Sequence, residues 1–112
     1  MLGRSNEIDK VFKALADSSR RKLLDELFIN NGQTLSEMCQ ILEMSRQAVT
    51  KHLVILEEAN LVVIEWHGRN KLHYLNPVPI NEISKRWMNK YEHNRLDALS
   101  ELKKLEEDSN NE

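Results

Sequence analysis

The stretch that most constrains the fold of this chain is residues 35–56, LSEMCQILEMSRQAVTKHLVIL. Apolar residues recur within it at helical spacing, in two sets: Met38, Ile41 and Leu42, then Val49, Leu53 and Leu56. Ser45 stands between the two sets, where its hydroxyl can accept a hydrogen bond from a free amide of the next turn. The pattern predicts two short helices joined by a tight turn at Glu43 and Met44.

The second of these helices has a polar face opposite its apolar stripe. Near its start this face carries Arg46, Gln47, Thr50 and Lys51. A helix that is buried on one face and offers such side chains at its N-terminal end is suited to the major groove of DNA. We interpret the stretch, extended to residues 34–58, as a helix-turn-helix. An ordinary helical hairpin with a solvated face is the alternative.

Composition fits a small, mainly helical domain. The chain has 112 residues, of which 40% are hydrophobic and 30% charged, with three Gly and two Pro. No apolar run approaches the roughly 20 residues of a membrane span, and the first ten residues lack the apolar region of a signal peptide. The single Cys39 cannot form an internal disulfide. We therefore expect a cytoplasmic protein without a membrane partner.

Net charge does not by itself predict a nucleic-acid partner, since it is −2. The last twelve residues hold five acidic and two basic residues, so the other 100 residues hold 14 basic against 13 acidic ones. Affinity for phosphate depends on the field at the contacting face rather than on the total charge. The charge distribution therefore permits DNA binding.

Two amphipathic helices are expected before the helix-turn-helix, at about residues 6–16 and 19–29. Their apolar residues are Ile8, Val11, Phe12 and Leu15 in the first helix and the inward-facing Leu23, Leu24, Leu27 and Phe28 in the second. Asp17 or Ser18 can cap the second helix. Its first turn contains Arg20, Arg21 and Lys22, where the helix dipole disfavours cations. These cations indicate either a phosphate held near that helix end or a solvated first turn.

A β-hairpin is predicted at residues 61–75. The runs LVVIEW and KLHYL flank a predicted four-residue loop, residues 67–70, which contains Gly68. A hairpin directly after a recognition helix is a wing. Its cationic tip, with Arg69 and Lys71 as candidate DNA contacts, is suited to a minor groove, where Arg is favoured. A plain surface hairpin is the alternative.

A long helix is predicted at residues 79–107, which contain no Gly and no Pro after Pro79. It would be about 43 Å long, too long to pack wholly against so small a domain, and a second copy of the chain is the simplest partner. We expect a homodimer built from the first and last helices through Ile8, Val11, Phe12, Trp87, Tyr91, Leu99 and Leu102. Residues 1–108 would form a single domain and residues 109–112 a disordered tail.

The order of elements and several motifs resemble the ArsR/SmtB-like winged helix-turn-helix regulators. Residues 16–24, ADSSRRKLL, are similar to the family's A-D-x-x-R-x-x-L-L opening. Residues 45–62, SRQAVTKHLVILEEANLV, resemble its S-x-x-x-V-S-x-H-L-x-x-L-x-x-A-G-L-V core, with Asn60 in place of the usual Gly. Either residue tolerates a left-handed turn. The expected fold is mainly α, a winged helix-turn-helix of order α-α-α-α-β-β-α with a long C-terminal dimerisation helix.

The resemblance implies a sequence-specific DNA-binding transcriptional regulator, a homodimeric repressor that reads an imperfect palindrome of double-stranded DNA. Carried onto this sequence, it implies major-groove and phosphate contacts by Ser45, Arg46, Gln47, Thr50 and Lys51, and a wing contact by Arg69. His52 becomes a DNA-backbone contact or a helix-packing group. Arg46 and Gln47 have the bidentate chemistry that separates base pairs, worth about 1–3 kcal/mol per good pair.

The chain departs from the metal-sensing members of that family. Their C-x-C pair falls here on Thr34 and Ser36, neither of which is a soft ligand. We expect no metal at that place and no cofactor, and the sequence does not identify an effector. His93, Asp97 and Glu101 are spaced so that they lie along one helical face, and a zinc site across the dimer is therefore kept as an alternative. Cys39 is expected to be a small core residue.

Enzymatic function is not expected, because the sequence has no paired acid and base, no phosphate-binding Gly loop and no nucleophile elbow. Two alternatives to a simple repressor stay open. One is a winged-helix interaction subunit whose long helix grips a different protein. The other is a metal-responsive repressor that uses the C-terminal helix.

Overall fold

The computed structural model describes the backbone of residues 2–110 and the side chains of residues 7–107. Within that range the chain forms five helices and a two-stranded antiparallel sheet. The elements, in order, are α1 (Leu2–Leu15), α2 (Ser18–Ile29), α3 (Leu35–Leu42), α4 (Arg46–Glu58), β1 (Val62–His67), β2 (Asn70–Leu75) and α5 (Val78–Asn110). The predicted order and the mainly helical fold class are confirmed.

The outer ends of the chain differ from the expectation. Helix α1 begins at Leu2 rather than near residue 6, and α5 runs through Asn110 rather than ending at residue 107. The tail expected at residues 109–112 therefore overlaps the last turn of α5, and residues 111–112 lie outside the described part. The chain divides into two compact units after Ile80. The boundaries of a single domain stay a prediction.

Side-chain caps explain where three of the helices start. Asp17 accepts hydrogen bonds from the backbone amides of Ser19 and Arg20, at 2.8 and 3.3 Å. Thr34 and Glu37 form a complete capping box at the start of α3. The Ser45 hydroxyl accepts from the Ala48 amide at 3.1 Å and begins α4. Each cap satisfies an amide that the first turn of a helix leaves without a partner.

The core of residues 2–80 lies between the first four helices and the base of the hairpin. Helix α4 packs against α1, α2, α3 and β1. The largest side chains that are fully buried there are Leu23, Leu27, Met38, Leu56, Leu61, Gln33, Val49 and Val62. The expectation that Phe28 faces inward is wrong, since Phe28 is 79% exposed. It lies in the last turn of α2, at the edge of the narrow stripe formed by Leu23, Leu24 and Leu27.

Beyond residue 80 the described chain is helical throughout. Most of the large apolar side chains of this part are exposed: Trp87, Met88, Tyr91, Leu96, Leu99, Leu102 and Leu105. Charged residues occupy most positions between them. No helix within residues 2–110 is both long enough and apolar enough to cross a membrane.

Candidate nucleic-acid interface

Helix α4 has the two faces that the sequence predicts. Val49, Leu53 and Leu56 are buried, whereas the side chains of the predicted contact group are exposed. That group is Ser45, Arg46, Gln47, Thr50 and Lys51. The burial of one face fixes the rotation of the helix about its axis, so the exposed N-terminal face is held in one orientation. The structure thus gathers all five residues on one convex surface.

Arg46 is tied to the preceding helix. Its Nη1 donates a hydrogen bond to the Ser36 hydroxyl on α3 at 3.0 Å. The guanidinium carries five N–H donors, so donors are left for a ligand after this bond is made. The contact restricts the rotamers of a long, exposed side chain. Ser36 therefore positions Arg46 at the start of α4, a role that the spacing of the sequence does not reveal.

The hydroxyls of Ser45 and Thr50 are used differently. Ser45 accepts from an amide at the helix start, so its own proton is available for donation. The Thr50 hydroxyl donates its proton to the backbone carbonyl of Arg46 at 2.7 Å. A contact from Thr50 to a phosphate would therefore require that hydroxyl to rotate. In its present rotamer Thr50 is better suited to an apolar contact with a thymine methyl group.

His52 is half-buried and faces α2. Its Nδ1 lies 3.3 Å from Nη1 of Arg20. A guanidinium can only donate, so Nδ1 accepts and the proton of the neutral imidazole is assigned to Nε2. Of the two roles expected for His52, helix packing is observed directly, and a DNA contact would use the Nε2 proton.

The cations in the first turn of α2 satisfy the end of α1. Arg20 donates from Nε to the Ala14 carbonyl at 2.8 Å and from Nη2 to the Lys13 carbonyl at 3.0 Å. Arg21 donates to the Leu15 carbonyl at 2.6 Å. Cations at a helix C-terminus interact favourably with its dipole. Neither interpretation offered for these cations included this role, because it depends on the angle between two successive helices.

The carboxylate of Asp17 joins the same cluster. Hydrogen bonding from the Ser19 amide, with smaller contributions from the Arg20 amide and the charge of Arg20, outweighs desolvation and lowers the pKa of Asp17 below its ordinary value. The Asp17 carboxylate lies 4.0 Å from Nη1 of Arg20. The start of α2, the end of α1 and one face of α4 are thereby linked through polar contacts.

The tip of the hairpin is tighter than expected. Strands β1 and β2 pair in register from Val62–Leu75 to His67–Asn70, so the turn has two central residues rather than a four-residue loop. Gly68 has a φ of 64°, which a type II′ turn requires at its first central position. Arg69 is the second central residue, and both Arg69 and Lys71 are exposed.

A buried contact fixes the hairpin against the helices. Gln33 forms an antiparallel bridge with His73, and Nδ1 of His73 lies 2.9 Å from the Gln33 carbonyl oxygen. Both residues are buried. The neighbouring Gly32 has a φ of 79°, and a Cβ at that position would lie 2.9 Å from the Tyr74 ring. The wing is therefore anchored to the α2–α3 connection, which sequence reasoning did not identify.

The other candidate residues lie on α1, α3 and α5. In α1, Ile8 is half-buried, Val11 is buried and Phe12 is partly exposed; in α5, Trp87, Tyr91, Leu99 and Leu102 are exposed. Nε2 of His93 lies 3.6 Å from the Asp97 carboxylate, both being exposed. Among the side chains that the structure describes, no three potential metal ligands are brought together. Cys39 is half-buried.

Comparisons with known proteins agree on one family. A profile of the helix-turn-helix domain matches residues 15–65. The HTH-type transcriptional regulator YuzN of Bacillus subtilis (strain 168) is 40% identical over 86 residues, which are 71% of this chain and 94% of that protein. The arsenical resistance operon repressor of the same organism is 32% identical over 73 residues, 65% of this chain and 70% of the repressor.

The fold of a solved relative agrees with these matches. The ArsR-like transcriptional regulator from Rhodococcus sp. RHA1 superposes with a TM-score of 0.74 at 29% identity, covering 91% of this chain and 94% of that one. Sequence and structure thus point the same way, and the chain belongs to the ArsR-like family of winged helix-turn-helix transcriptional regulators.

Proposed function

We propose that this regulator, which like its family is not an enzyme, acts as a homodimeric repressor in the cytoplasm. Two copies of α4 would enter successive major grooves of an imperfect palindrome, with half-sites about 34–36 Å apart. The observation that carries the proposal is the pair of faces on α4. Its apolar stripe is buried, and its exposed N-terminal face presents Arg46, Gln47 and Lys51.

The repressing role is supported by similarity to the arsenical resistance operon repressor. A response to arsenic is not part of the proposal, because Thr34 and Ser36 stand where the metal-sensing members have the C-x-C pair, and Thr34 is the cap of α3. The homodimer is supported by the exposed apolar residues of α5, among them Tyr91, Leu99 and Leu102.

Selection of bound duplexes from a random pool, followed by gel shifts at several salt concentrations, tests the proposal. We expect a two-fold symmetric consensus and an affinity that falls steeply with salt. No preferred duplex at moderate salt would contradict it.

Two substitutions on α4 separate the roles of its side chains. Arg46→Ala should reduce the preference for the consensus over random DNA, because it removes a bidentate base reader. Lys51→Ala should weaken binding to both and reduce the salt slope by about 1. Ser36→Ala releases Arg46 without removing it, so we expect a smaller loss of preference than with Arg46→Ala. Equal losses on all sequences from Arg46→Ala would contradict this division.

A further inference from the structure

Trp66 is an exposed aromatic residue at the wing tip that the candidate contact group leaves out. It is 62% exposed, although an indole is among the largest apolar groups that a protein can bury. Alternation along β1 places Val62, Ile64 and Trp66 on one face. Val62 is buried and Ile64 is half-buried, and β1 packs on α4. This face of β1 is therefore part of the core at the base of the hairpin, but it is exposed to solvent at the tip.

The same face carries a cation beside the indole. Lys71 on β2 is directly opposite Trp66 in the register, and Cβ atoms of such a pair are about 4.5–5.5 Å apart. Arg69 follows in the turn. The tip also contains an acid, Glu65, but alternation places it on the other face, where its carboxylate is 3.3 Å from Nε2 of His67. One face is thus apolar and cationic, and the other carries the negative charge.

We propose that Trp66 is a DNA contact, with its indole packed on the deoxyribose wall of the minor groove beside the half-site that α4 reads. This inference rests on the proposed function. A minor-groove wall offers apolar sugar surface bordered by phosphates, so it matches an indole flanked by Lys71 and Arg69. Proteins that bind this groove combine cationic side chains with apolar ones, which frequently insert between base steps. The acid on the opposite face would be turned away from the phosphates.

An apolar contact and a phosphate contact have different salt signatures. A cation that neutralises a phosphate releases counterions, so its removal changes the slope of affinity against salt. Packing of an indole on sugar releases none. Trp66 should therefore contribute equally at all salt concentrations, whereas Lys71 should contribute most at low salt.

The experiment compares four variants on the selected consensus duplex at several salt concentrations. Trp66→Ala should weaken binding about tenfold, as for an interface Trp, with an unchanged salt slope. Trp66→Phe should restore most of the affinity, and Lys71→Ala should reduce the slope by about 1. Phe28→Ala is the matched control, since Phe28 is an exposed aromatic residue outside the proposed surface, and it should bind as the wild type does. Should Trp66→Ala fail to fold, Trp66→Thr, which keeps strand propensity, replaces it.

Fluorescence gives a second readout. Addition of the duplex to the wild type should change the tryptophan emission, and most of that change should be absent from Trp66→Phe. A Trp66→Ala affinity within twofold of the wild type overturns the inference, as does a loss of affinity that comes with a changed salt slope. If the wild type shows no preferred duplex, the proposed function is contradicted. This outcome can be distinguished from a failure of the Trp66 inference, in which the wild type still selects a duplex.

Discussion

The two units of the chain differ in how far their large aliphatic and aromatic side chains are exposed. In residues 2–80, Leu23, Leu27 and Leu56 have no exposed surface. In residues 81–110, Tyr91, Leu102 and Leu105 are each more than half exposed. Helices in proteins are stabilised mainly by packing of an apolar face rather than by intrinsic propensity. The first unit supplies that packing from its own chain, whereas in the proposed homodimer a second copy would supply it to α5.

This contrast suggests a division of roles. The first unit holds α4 and the wing in a fixed geometry through its core and its caps, which a reader of DNA requires. The far part of α5 would set the distance between two such units in the proposed homodimer. The effect of a change in α5 on stability should then depend on protein concentration, whereas the effect of a change in the core of the first unit should not.

The largest effect is expected from charge placed on the apolar stripe of α5. Leu102 and Leu105 lie close together on one helical face, and Leu105 is nine residues, about half a turn in angle, from Leu96. The double change Leu102→Asp with Leu105→Asp should convert the dimer to a monomer. The affinity for a palindromic duplex should then fall by about 10²–10⁴, because the two half-sites no longer bind as one unit.

Native mass measurement and gel shifts check this prediction. Leu96→Asp is the control, since it places one negative charge on the opposite side of the same helix and should leave both the oligomeric state and the affinity unchanged. A double variant that stays dimeric would show that this stripe is not the interface. A wild type that is a monomer would favour the interaction-subunit alternative.

The next largest effect is expected in the core of the first unit. Leu56 on α4 is fully buried, and a buried Leu→Ala change costs about 2–5 kcal/mol because it loses apolar burial and leaves a cavity. We expect Leu56→Ala to lower the urea midpoint by an amount that does not depend on protein concentration. The exposed Leu102→Ala should shift the midpoint mainly at low concentration. The same concentration dependence in both variants would contradict the division between the units.

Sequence patterns predicted the elements whose signals are local. The Ser45 cap needs only an amide three residues further along the chain, and it forms. Asn60, expected to tolerate a left-handed turn, has a φ of 60°. The exposed group on α4 was also predictable, since its residues occupy the helix face opposite a periodic apolar stripe.

Features that depend on distant pairs were not predictable. The contact between Arg20 and His52 joins residues 32 positions apart. That between Gln33 and His73 joins residues 40 positions apart. Neither pair has a spacing that a single sequence can reveal. The prediction that Phe28 faces inward was wrong for a related reason. Periodicity gives the angle of a residue on its helix, but it does not show where the neighbouring elements end.

A smaller effect, of opposite sign, is expected at the turn between α3 and α4. Glu43 has a φ of 52° in the left-handed region, which costs an ordinary residue about 1–2 kcal/mol. Gly avoids this cost but loses more entropy on folding, about 0.5–1 kcal/mol. Glu43→Gly should therefore stabilise the first unit by about 0.5–1 kcal/mol, as a raised urea midpoint. Asn60→Gly is the control and should gain less, since Asn tolerates this region. An equal or larger gain at residue 60 would contradict the argument.

The smallest effect concerns Asp17, whose solvent-exposed carboxylate joins the network between α1, α2 and α4. Its pKa is lowered in the folded state, chiefly by the Ser19 amide. Its contribution to stability is therefore fully present above the unfolded pKa, near about 4, and is lost as the pH falls through the folded value. Asp17→Asn keeps a good N-cap but cannot titrate. We expect the urea midpoint of the wild type to exceed that of the variant at pH 7, and the gap to shrink as the pH falls below the unfolded value of about 4. A difference in midpoint that does not change with pH would show that the charge of Asp17 adds nothing to the cap. A difference that varies with protein concentration would show that Asp17 does not act within the first unit.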